Sequence, residues 1–569
     1  MRNGTNLSYV HDSMIKLEEY FSQNFKDCKV SINNENKYVI FLSIGNPSMR
    51  AFVLKDVSTD LMKTFERFRS KLFDMMTKRH LDLQWIKVDI VKEVQPIHFT
   101  ELEKLIAKTR KNYFRYGISF DVDFQVAFLE QEINGNAMIK NGESNTLQLD
   151  DKNINYYLKN NYGIRFPFIK DRYRNKPVFI FTTNSVFLDK SDGKLQVLNN
   201  GMLMNGIRRT NDIASEVYSI INKSTYYLMN LLKSNGKFEY GYFSSFAKRI
   251  GTYNILRHAS SLYALAEGYE VLKDKQIIQA VQKGIDYLIR EAIVYKNEET
   301  KEIAYVVDYT NNNEIKLGSN ATAILAMTKY MEVTNTKKYI EVAQALARGI
   351  VEMKTSSGGF VHVLSYPSFE IKDVYRVIYY EGEAVFSLLR LYGIDKNERW
   401  LQEAKNAFDY FIVREYWKYY DHWLSYAINE LTTYLPEDKY FIFGLKNCNG
   451  KLDFIYNRET TYPTFMELMM ATYKMVKTMK NLKKEHLFIH IDEKYLNETI
   501  DRRAEYQRVG FFYPELAMYT KKPSLILHSF FIRHHSFRVR IDDIEHYLSG
   551  YIQFFHHRIP DISKEDDLI

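Results

Sequence analysis

An internal repeat decides the fold of this chain. Its three copies read "HASSLYALAEGYE" (258–270), "NATAILAMTKYME" (320–332) and "EGEAVFSLLRLYG" (381–393). The copies are spaced by 62 residues (258 to 320) and by 61 residues (320 to 381), and no gap is needed within them. Self-similarity at a fixed period is the signature of a repeat architecture in which each copy is one supersecondary unit.

The register of the repeat continues into a second helix in each copy. Ile277, Tyr339 and Trp400 occupy equivalent positions there. The first helix of each copy is almost wholly apolar, whereas the second is amphipathic, with Lys, Glu and Gln on one side. Because a helix that is apolar all round must be buried, we expect the first helices to lie inside and the second helices to cover them.

Three more pairs follow the same rule. Further apolar helices are predicted at Asp421–Leu435, Glu459–Val476 and Arg538–Phe555. Further amphipathic helices are predicted around Ser215–Lys233, Asp438–Tyr456 and Asp492–Gln507. Six inner and six outer helices predict an (α/α)6 toroid, a ring of six helical hairpins, over residues 212–557. Residues 558–569 are then a C-terminal tail.

Residues 1–200 have a different pattern. Runs of β-branched and aromatic residues predict strands at Lys37–Ile44, Met49–Lys55, Leu83–Val91 and Pro177–Asp189. The segment Val57–Met76 has the apolar spacing of a helix. We therefore expect a smaller α+β domain in front of the toroid, and a chain that is mainly α. This part has no phosphate loop and no dinucleotide-binding fingerprint, so its role stays open.

Composition excludes several classes of protein. The chain has 569 residues, of which 46% are hydrophobic and 26% charged, as in a globular protein. The net charge of +8 is spread along the sequence, whereas a nucleic-acid binder carries a concentrated basic stripe. The two cysteines, Cys28 and Cys448, cannot form a disulfide framework or a Cys-rich zinc site. No signal peptide or membrane span is recognised, so we expect a cytoplasmic protein.

The helical part resembles a known superfamily. The segments that carry the resemblance are "LGSNATAILAMTKYMEVTNTKKYIEVAQAL" (317–346), "GGFVHV" (358–363) and "YYEGEAVFSLLRLYG" (379–393). They look like the six-hairpin toroids of carbohydrate-active enzymes, which include glycoside hydrolases, unsaturated glucuronyl hydrolases and N-acylglucosamine 2-epimerases. The resemblance covers roughly residues 212–557 and implies the fold and a sugar substrate. No complete catalytic signature of one family is matched.

The candidate site lies where the inner helices begin. In a ring of hairpins the inner helices run the same way, so their N-termini meet at one mouth. The repeat aligns His258, Asn320 and Glu381 at this end. By helix position they are joined by Asp421 with His422, Arg458 with Glu459, and Arg538 with Arg540 and Asp542. Polar residues at the heads of apolar helices predict a polar rim above an apolar interior.

We assign catalytic roles to four of these residues. Hydrolysis needs a proton donor and a second carboxylate, for which we predict Glu381 as the acid and Asp421 or Glu459 as the base. Epimerisation or elimination needs a base next to a carbonyl or carboxylate, for which His258 is predicted, with His535 as the alternative. Resemblance to the 2-epimerases would imply proton transfer by two histidines. The predicted substrate-binding residues are Arg257, Asn320, Tyr379, Glu383, His422, Trp423, Arg458, Tyr462, His535, Arg538, Arg540 and Asp542.

Residue chemistry indicates the kind of substrate. Exposed Tyr and Trp rings stack on the apolar faces of sugars, and Arg458 and Arg540 could bind a carboxylate in a bidentate manner, which favours an acidic sugar. Asp542 and His546 are four residues apart and share a helix face, but no HExxH signature is present. We therefore expect neither a metal nor a cofactor. Asp421 and Glu459 are also explained as simple helix caps.

The sequence predicts an enzyme that acts on a sugar or on an acidic polysaccharide in the mouth of the toroid. The reaction is hydrolysis, epimerisation or elimination, and metabolism of a surface polysaccharide is one setting for it. The alternative is a non-catalytic protein that uses the toroid as a cup for a glycan or peptide. In that case the N-terminal domain would contact a protein partner.

Overall fold

The computed structural model describes residues 2–79, 82–142, 145–164 and 166–566. The chain forms two compact units. The first contains Met1–Asn211, Tyr242–Arg249 and Val509–Val539, and the second contains Asp212–Gly241, Ile250–Arg508 and Arg540–Ile569.

The regular elements are numbered in chain order. The strands are β1 (Val30–Ile32), β2 (Glu35–Asn46), β3 (Met49–Ser58), β4 (Trp85–His98), β5 (Gly117–Ser119), β6 (Ala127–Phe128), β7 (Ile139–Asn141), β8 (Leu147–Leu149), β9 (Pro177–Asp189), β10 (Leu195–Val197), β11 (Gly241–Phe243), β12 (Lys248–Arg249), β13 (Ile293–Tyr295), β14 (Ala304–Asp308), β15 (Glu314–Lys316), β16 (Val363–Ser365), β17 (Ile371–Asp373) and β18 (Arg538–Arg540). The helices are α1 (Arg2–Asn24), α2 (Leu61–Arg79), α3 (Phe99–Lys108), α4 (Glu130–Gly135), α5 (Asp151–Tyr157), α6 (Ile213–Asn230), α7 (Ile255–Leu272), α8 (Lys275–Ala292), α9 (Leu317–Thr334), α10 (Ile340–Glu352), α11 (Tyr379–Asp395), α12 (Glu398–Val413), α13 (His422–Tyr434), α14 (Asp438–Asn449), α15 (Leu452–Asn457), α16 (Thr464–Asn481), α17 (Glu493–Gln507), α18 (Pro514–Ala517), α19 (Ile541–His557) and α20 (Ile559–Asp566).

The first unit is built on an antiparallel sheet. Its strand order is β1-β2-β4-β9-β5-β6, with β3 paired to β2 and β10 paired to β9. The four predicted strands coincide with β2, β3, β4 and β9, and the predicted helix coincides with α2. Phe65, Phe68 and Leu72 of α2 are buried against one face of the sheet, as their spacing predicts.

The unit boundaries differ from a simple division into an N-terminal domain and a toroid. The predicted toroid range, 212–557, contains two segments that cluster with the sheet unit, Tyr242–Arg249 and Val509–Val539. The predicted tail contains α20, and its residues 567–569 lie outside the described part of the chain.

The second unit contains a closed ring of six inner helices. Helix α7 contacts α9, α9 contacts α11, α11 contacts α13, α13 contacts α16, α16 contacts α19, and α19 returns to α7. Each inner helix is also covered by an outer one, in the pairs α7–α8, α9–α10, α11–α12, α13–α14, α16–α17 and α19–α6. This is the predicted (α/α)6 toroid, with all twelve helices at the expected places in the sequence.

The inner helices are buried because their side chains are apolar on every face. In α9, all residues from Leu317 to Met331 are buried. Strands β13–β17 form a small antiparallel sheet in the same unit. Within the described residues, no helix combines the length and hydropathy that crossing a membrane requires.

Candidate functional site

Ionisable side chains gather at the N-terminal ends of the inner helices. They come from α11, α13, α16 and α19, and they are held close together by ion pairs and ring contacts. We call these residues the mouth cluster, and they are Glu383, Asp421, His422, Glu467, Glu545 and His546.

Asp421 and His422 begin helix α13. Asp421 is the N-cap, and its Oδ2 accepts a hydrogen bond from the Leu424 backbone N–H at 2.9 Å. Its other oxygen, Oδ1, lies 3.2 Å from His422 Nδ1. His422 is 5% exposed, and its Nε2 has no hydrogen-bond partner among the described residues. Nε2 also lies 3.9 Å from Glu467 Oε2. A histidine with a carboxylate beside one nitrogen and no hydrogen bond at the other has the arrangement of a general base.

His546 lies beside His422, with ring centroids 5.2 Å apart and nearly perpendicular planes. Its Nδ1 is 2.9 Å from Glu467 Oε2 and 3.5 Å from Glu545 Oε1. Burial lowers the pKa of His546, but the charges of Glu545 and Glu467 outweigh burial and raise it well above its ordinary value. His546 is therefore a cation held by carboxylates, because an imidazolium is favoured next to negative charge.

Glu383 is the least compensated carboxyl group of the cluster. It is 3% exposed, and its Oε2 has no hydrogen-bond partner among the described residues. It fits only because position 318 is a glycine, since a Cβ there would lie 2.0 Å from Glu383 Oε2. Burial raises the pKa of Glu383 well above its ordinary value, and the charges of Asp421 and Glu545 raise it further. The raised pKa favours the protonated form of Glu383, which is the form that can donate a proton.

Glu545 is a second buried carboxyl group of the cluster with a raised pKa. Burial raises its pKa to about 8, against the effect of the neighbouring His546 charge. Its Oε2 accepts a hydrogen bond from Ser260 Oγ at 3.0 Å. Groups whose pKa values are displaced by burial and by specific neighbours concentrate at catalytic sites.

Two arginines border the cluster, and both are neutralised by the protein. Arg257 Nε lies 3.1 Å from Asp542 Oδ2, and its guanidinium donates to Tyr240 Oη at 2.9 Å. Arg540 pairs with Asp542 and with Asp543, the latter at 3.0 Å. Because these cations already have carboxylate partners, the mouth offers no ready site for an acidic group of a substrate.

Tyrosine rings form a shelf next to the cluster. Tyr375, Tyr379 and Tyr419 are 52%, 39% and 50% exposed, and the Tyr379 ring lies 5.7 Å from the His422 ring. Burial and the neighbouring Tyr462 raise the pKa of Tyr379. Exposed aromatic rings next to buried acid–base groups suit a flat, polar-edged ligand such as a sugar.

The cluster also has the spacing of a metal site. Ligand atoms of His422, Glu467 and His546 lie within 4.8 Å of one another, and so do those of Asp542, Glu545 and His546. Imidazole and carboxylate together suit zinc or a similar divalent ion. However, the contact between His546 and Glu467 is also that of an ordinary ion pair.

Three predicted residues point away from the cluster. His258 is fully buried, with Nδ1 2.8 Å from Tyr253 Oη and Nε2 3.1 Å from the Gly284 carbonyl of α8. Burial lowers its pKa to about 4. Asn320 is also fully buried, and its side chain accepts from the Val306 backbone N–H at 2.8 Å. These contacts make both side chains part of the packing between inner helices and their surroundings.

Glu381 shares this register position and is likewise outside the cluster. Its Oε1 lies 3.5 Å from His362 Nε2, and burial raises its pKa. The reason is helical geometry, because residues two apart on a helix point in nearly opposite directions. The repeat gave the correct helix end, but the side chain that reaches the cluster is Glu383.

The predicted residues before α16 have other surroundings. Glu459 is exposed, and α16 begins five residues later, at Thr464. Arg458 Nε donates to Thr460 Oγ1 at 2.6 Å, and its guanidinium lies 4.8 Å from the Tyr462 ring centroid. The expected exposure of Trp423 is wrong, since it is 3% exposed and packs against Phe386.

His535 and Arg538 belong to the first unit. All residues of the mouth cluster belong to the second unit, so His535 and Arg538 are not among them.

Sequence reasoning passed over Glu467 and Glu545. Each is a buried carboxyl group inside an apolar helix, at 1% exposure. A lone glutamate in the runs "TFMELMM" (464–470) and "DDIEHYL" (542–548) is the signal that could have found them. Buried ionisable groups are rare unless they are paired or functional.

Comparisons with known proteins give fold similarity alone. No family model matches the chain, and no curated protein matches it. Among solved structures, a cellobiose 2-epimerase from Bacillus thermoamylovorans B4167 has a TM-score of 0.46 and 14% identity over 61% of this chain and 100% of its own. A sugar epimerase from a ruminal bacterium has a TM-score of 0.45 and 12% identity over 61% and 99%. An unsaturated glucuronyl hydrolase from Streptococcus agalactiae has a TM-score of 0.42 and 14% identity over 60% and 92%.

The chain is thus similar to the sugar-processing toroids that its sequence resembles. At TM-scores below 0.5 these structures carry no argument about its function. The assignment of the ring rests on the contacts between its own helices.

Proposed function

We propose that the protein is an enzyme that moves protons on a sugar, at the mouth of the toroid. The observation that carries the proposal is that two groups neighbour Asp421: Glu383, whose pKa is raised, and His422, whose Nε2 has no hydrogen-bond partner among the described residues. Catalysis of epimerisation or isomerisation needs one group to remove a proton from carbon and another to supply one.

The roles follow from the contacts. His422 Nε2 removes the proton from the carbon next to the carbonyl of an open-chain sugar, and Asp421 stabilises the positive charge that His422 then carries. Glu383 donates its proton toward the carbonyl oxygen, on which negative charge develops, and an enediol forms. In isomerisation His422 then returns its proton to the neighbouring carbon, and Glu383 takes a proton from the other enediol hydroxyl group, so both groups are restored. The cation on His546 stabilises the same charge, which is the general role of a fixed positive group at a developing enolate.

The substrate is a neutral sugar in this proposal. Its rings stack on the shelf of Tyr375, Tyr379 and Tyr419. A carboxylate on the substrate would meet the negative charges of Asp421 and Glu467, while Arg257 and Arg540 are engaged by Asp542. The acidic substrate predicted from the sequence therefore finds no support in the mouth.

Hydrolysis is the second candidate. It is favoured by the proximity of Asp421, whose charge raises the pKa of Glu383. A protonated carboxyl group and a carboxylate are the pair that glycoside hydrolysis needs. Glu383 would protonate the leaving oxygen, and Asp421 would activate water. A non-catalytic cup for a glycan, with a protein partner on the sheet unit, is the remaining alternative.

A product screen tests the proposal. The wild-type protein is incubated with neutral aldoses, ketoses and disaccharides, and products are separated by chromatography. We expect a new sugar of equal mass, formed at least ~100-fold more slowly by Glu383→Gln because the proton donor is lost. The matched control is Glu341→Gln, an exposed glutamate on outer helix α10. Cleaved products would favour hydrolysis, and consumption of no sugar, or equal rates in Glu383→Gln, would overturn the proposal.

A further inference from the structure

The mouth cluster contains buried polar atoms that the rest of the protein leaves without partners. His422 Nε2, Asp421 Oδ1, Glu383 Oε2 and Glu545 Oε1 are shielded from solvent, and none has a hydrogen-bond partner within the described part of the chain. Because an unpartnered buried polar atom is costly, such atoms are rare and usually have a specific reason. Four of them in one cluster indicate that the cluster takes a ligand.

Three side chains of the cluster have the spacing of metal ligands. Ligand atoms of His422, Glu467 and His546 lie within 4.8 Å of one another. Glu467 Oε2 is 3.9 Å from His422 Nε2 and 2.9 Å from His546 Nδ1. A tetrahedral zinc ion with bonds of about 2.0–2.1 Å separates its ligand atoms by about 3.3 Å, which lies between these two distances. Small movements of the side chains would therefore place all three atoms around one ion.

Each of these side chains is also held at its other polar atom. Asp421 Oδ1 lies 3.2 Å from His422 Nδ1, and Asp542 Oδ1 lies 3.9 Å from His546 Nε2. The carboxyl group of the third ligand accepts a hydrogen bond at its Oε1 from Tyr426 Oη, at 3.4 Å. Metal-binding histidines usually have a carboxylate or carbonyl at the second nitrogen, which orients the ring and makes the first nitrogen more basic. The surroundings of the three side chains follow this pattern.

An ion pair alone does not account for this arrangement. The contact between His546 and Glu467 provides a partner for each of them. It leaves His422, which is 5% exposed, with Nε2 only 3.9 Å from the same carboxylate oxygen and without a hydrogen bond. A metal ion would give all three side chains a partner. It would also offset the charge of the mouth cluster, in which four carboxyl groups face two histidines.

We propose that the mouth cluster binds a zinc ion through His422 Nε2, Glu467 Oε2 and His546 Nδ1, with the fourth position open. Two imidazoles and one carboxylate suit zinc, whereas calcium and magnesium prefer oxygen ligands. Zinc takes the lone pair of His546 Nδ1, and the proton held there passes to solvent. The ligands come from helices α13, α16 and α19, so no local sequence motif contains them.

Bound zinc has a consequence for catalysis, and this consequence rests on the proposed function. There, His422 Nε2 is the nitrogen that removes a proton from the sugar. Zinc occupies the lone pair of that nitrogen, so the zinc-bound protein lacks its base. The metal-free form is therefore the active form, and zinc is an inhibitor. Binding of zinc itself does not depend on the reaction that the protein catalyses.

Zinc titration tests the site on full-length protein that has been stripped of metal. A chromophoric chelator competes for zinc, so its absorbance reports how much zinc the protein holds. We expect one zinc ion per chain with a Kd below about 1 μM. His422→Gln and Glu467→Gln should each weaken binding at least about tenfold, because one of three ligands is changed. The matched control is His486→Gln, an exposed histidine that pairs with Asp438 at 2.7 Å, and it should bind zinc as the wild type does.

Three results would overturn the site. They are no zinc bound at this affinity, equal zinc affinity in the wild type and His422→Gln, and magnesium bound as tightly as zinc.

A second measurement avoids variants that fold poorly. X-ray absorption of wild-type protein with one equivalent of zinc reports the ligands directly. We expect four nitrogen or oxygen ligands at about 2.0–2.1 Å, together with the outer scattering of two imidazole rings. Six oxygen ligands, or a spectrum without imidazole, would contradict the proposed site.

The consequence for catalysis is tested by running the product screen on metal-free protein and on protein with one equivalent of zinc. We expect zinc to slow conversion of the sugar at least about tenfold, because the base is occupied. Equal conversion by zinc-bound and metal-free protein would overturn the inhibition. If neither form converts a sugar, the proposed function fails, while the zinc titration still decides whether the site exists.

Discussion

Two regions of the helical ring differ in how their charged side chains are paired, although each also holds a buried carboxyl group with a raised pKa, Glu267 in one and Glu383 in the other. At the C-terminal ends of the inner helices, Lys329 and Arg390 are held in ion pairs with glutamates of neighbouring helices. At the mouth, Glu383 is buried, and no Lys, Arg or His nitrogen of the described residues lies within 4 Å of its carboxyl group. The same six helices thus form one end that resembles an ion-pair lattice and another that holds a carboxyl group protonated.

This difference indicates at which end of the ring we expect a chemical reaction. Ion pairing favours the charged form of both partners, whereas burial without a neighbouring cation favours the protonated form of a carboxyl group. A group kept protonated at neutral pH can act as an acid, which an ion-paired glutamate cannot. The mouth is therefore the end at which we expect bonds to change.

The largest effect is expected from Glu383→Gln. The amide has the size of the carboxyl group but cannot donate an acidic proton, so kcat should fall about 10²- to 10⁴-fold while the fold is kept. Steady-state kinetics on the sugar found in the product screen measures it. A loss of less than about threefold would remove Glu383 from the acid role.

Gly318→Ala displaces Glu383 without changing it. The added Cβ would lie 2.0 Å from Glu383 Oε2 and 2.6 Å from Tyr380 Cδ1, so these side chains must move. We expect kcat to fall about 10²-fold, since a shift of about 1 Å in a catalytic group has effects of that size. Gly251→Ala is the control, because a Cβ there meets no atom within 4 Å. Equal activity of the two variants would argue against a fixed position of Glu383.

At the C-terminal ends of the inner helices, Arg390→Met should act on stability. It leaves Glu332 and Glu430 without their shared cation. Because the two glutamates are 39% and 17% exposed, solvent screens part of the repulsion, and we expect a loss of about 1–3 kcal/mol. Thermal unfolding measures it, with exposed Arg399→Met as the comparison. A melting temperature of Arg390→Met equal to that of the wild type would mean that the ion pairs of Arg390 contribute nothing to stability.

The smallest effect is a change in how stability depends on pH. The pKa of Glu545 is raised from 4.5 to about 8, so its contribution is complete below about pH 4.5 and is lost as the pH rises through 8. The melting temperature should fall from pH 5 to pH 9, and it should fall less in Glu545→Gln, whose side chain stays neutral. Glu341→Gln should keep the wild-type slope. Identical slopes in wild type and Glu545→Gln would contradict the raised pKa.

The sequence predicted the ring because the signal was repeated. Apolar inner helices and amphipathic outer helices recur at nearly constant spacing, so errors at one helix are corrected by the others. The strands of the sheet unit were predicted from β-branched and aromatic runs such as Pro177–Asp189. The membership of Val509–Val539 in that unit could not be predicted, because a segment's packing partners depend on tertiary contacts.

The site was predicted only in part, for a geometric reason. Aligning the repeats gives the helix end but not the direction of each side chain. His258, Asn320 and Glu381 share a position that faces away from the cluster, whereas Glu383 and His422 reach it. The space that the Glu383 carboxyl group occupies depends on Gly318 of the neighbouring helix α9. The sequence of helix α11 alone could therefore not predict it.

Hydrogen exchange at carbon tests proton transfer at the mouth. The sugar is converted in D2O, and deuterium at the carbon next to the carbonyl is measured by NMR in the product and in the recovered substrate. We predict incorporation by the wild type and a loss of at least ~100-fold in His422→Gln, because the base is gone. Conversion by the wild type without deuterium at that carbon, or exchange by His422→Gln at the wild-type rate, would contradict it.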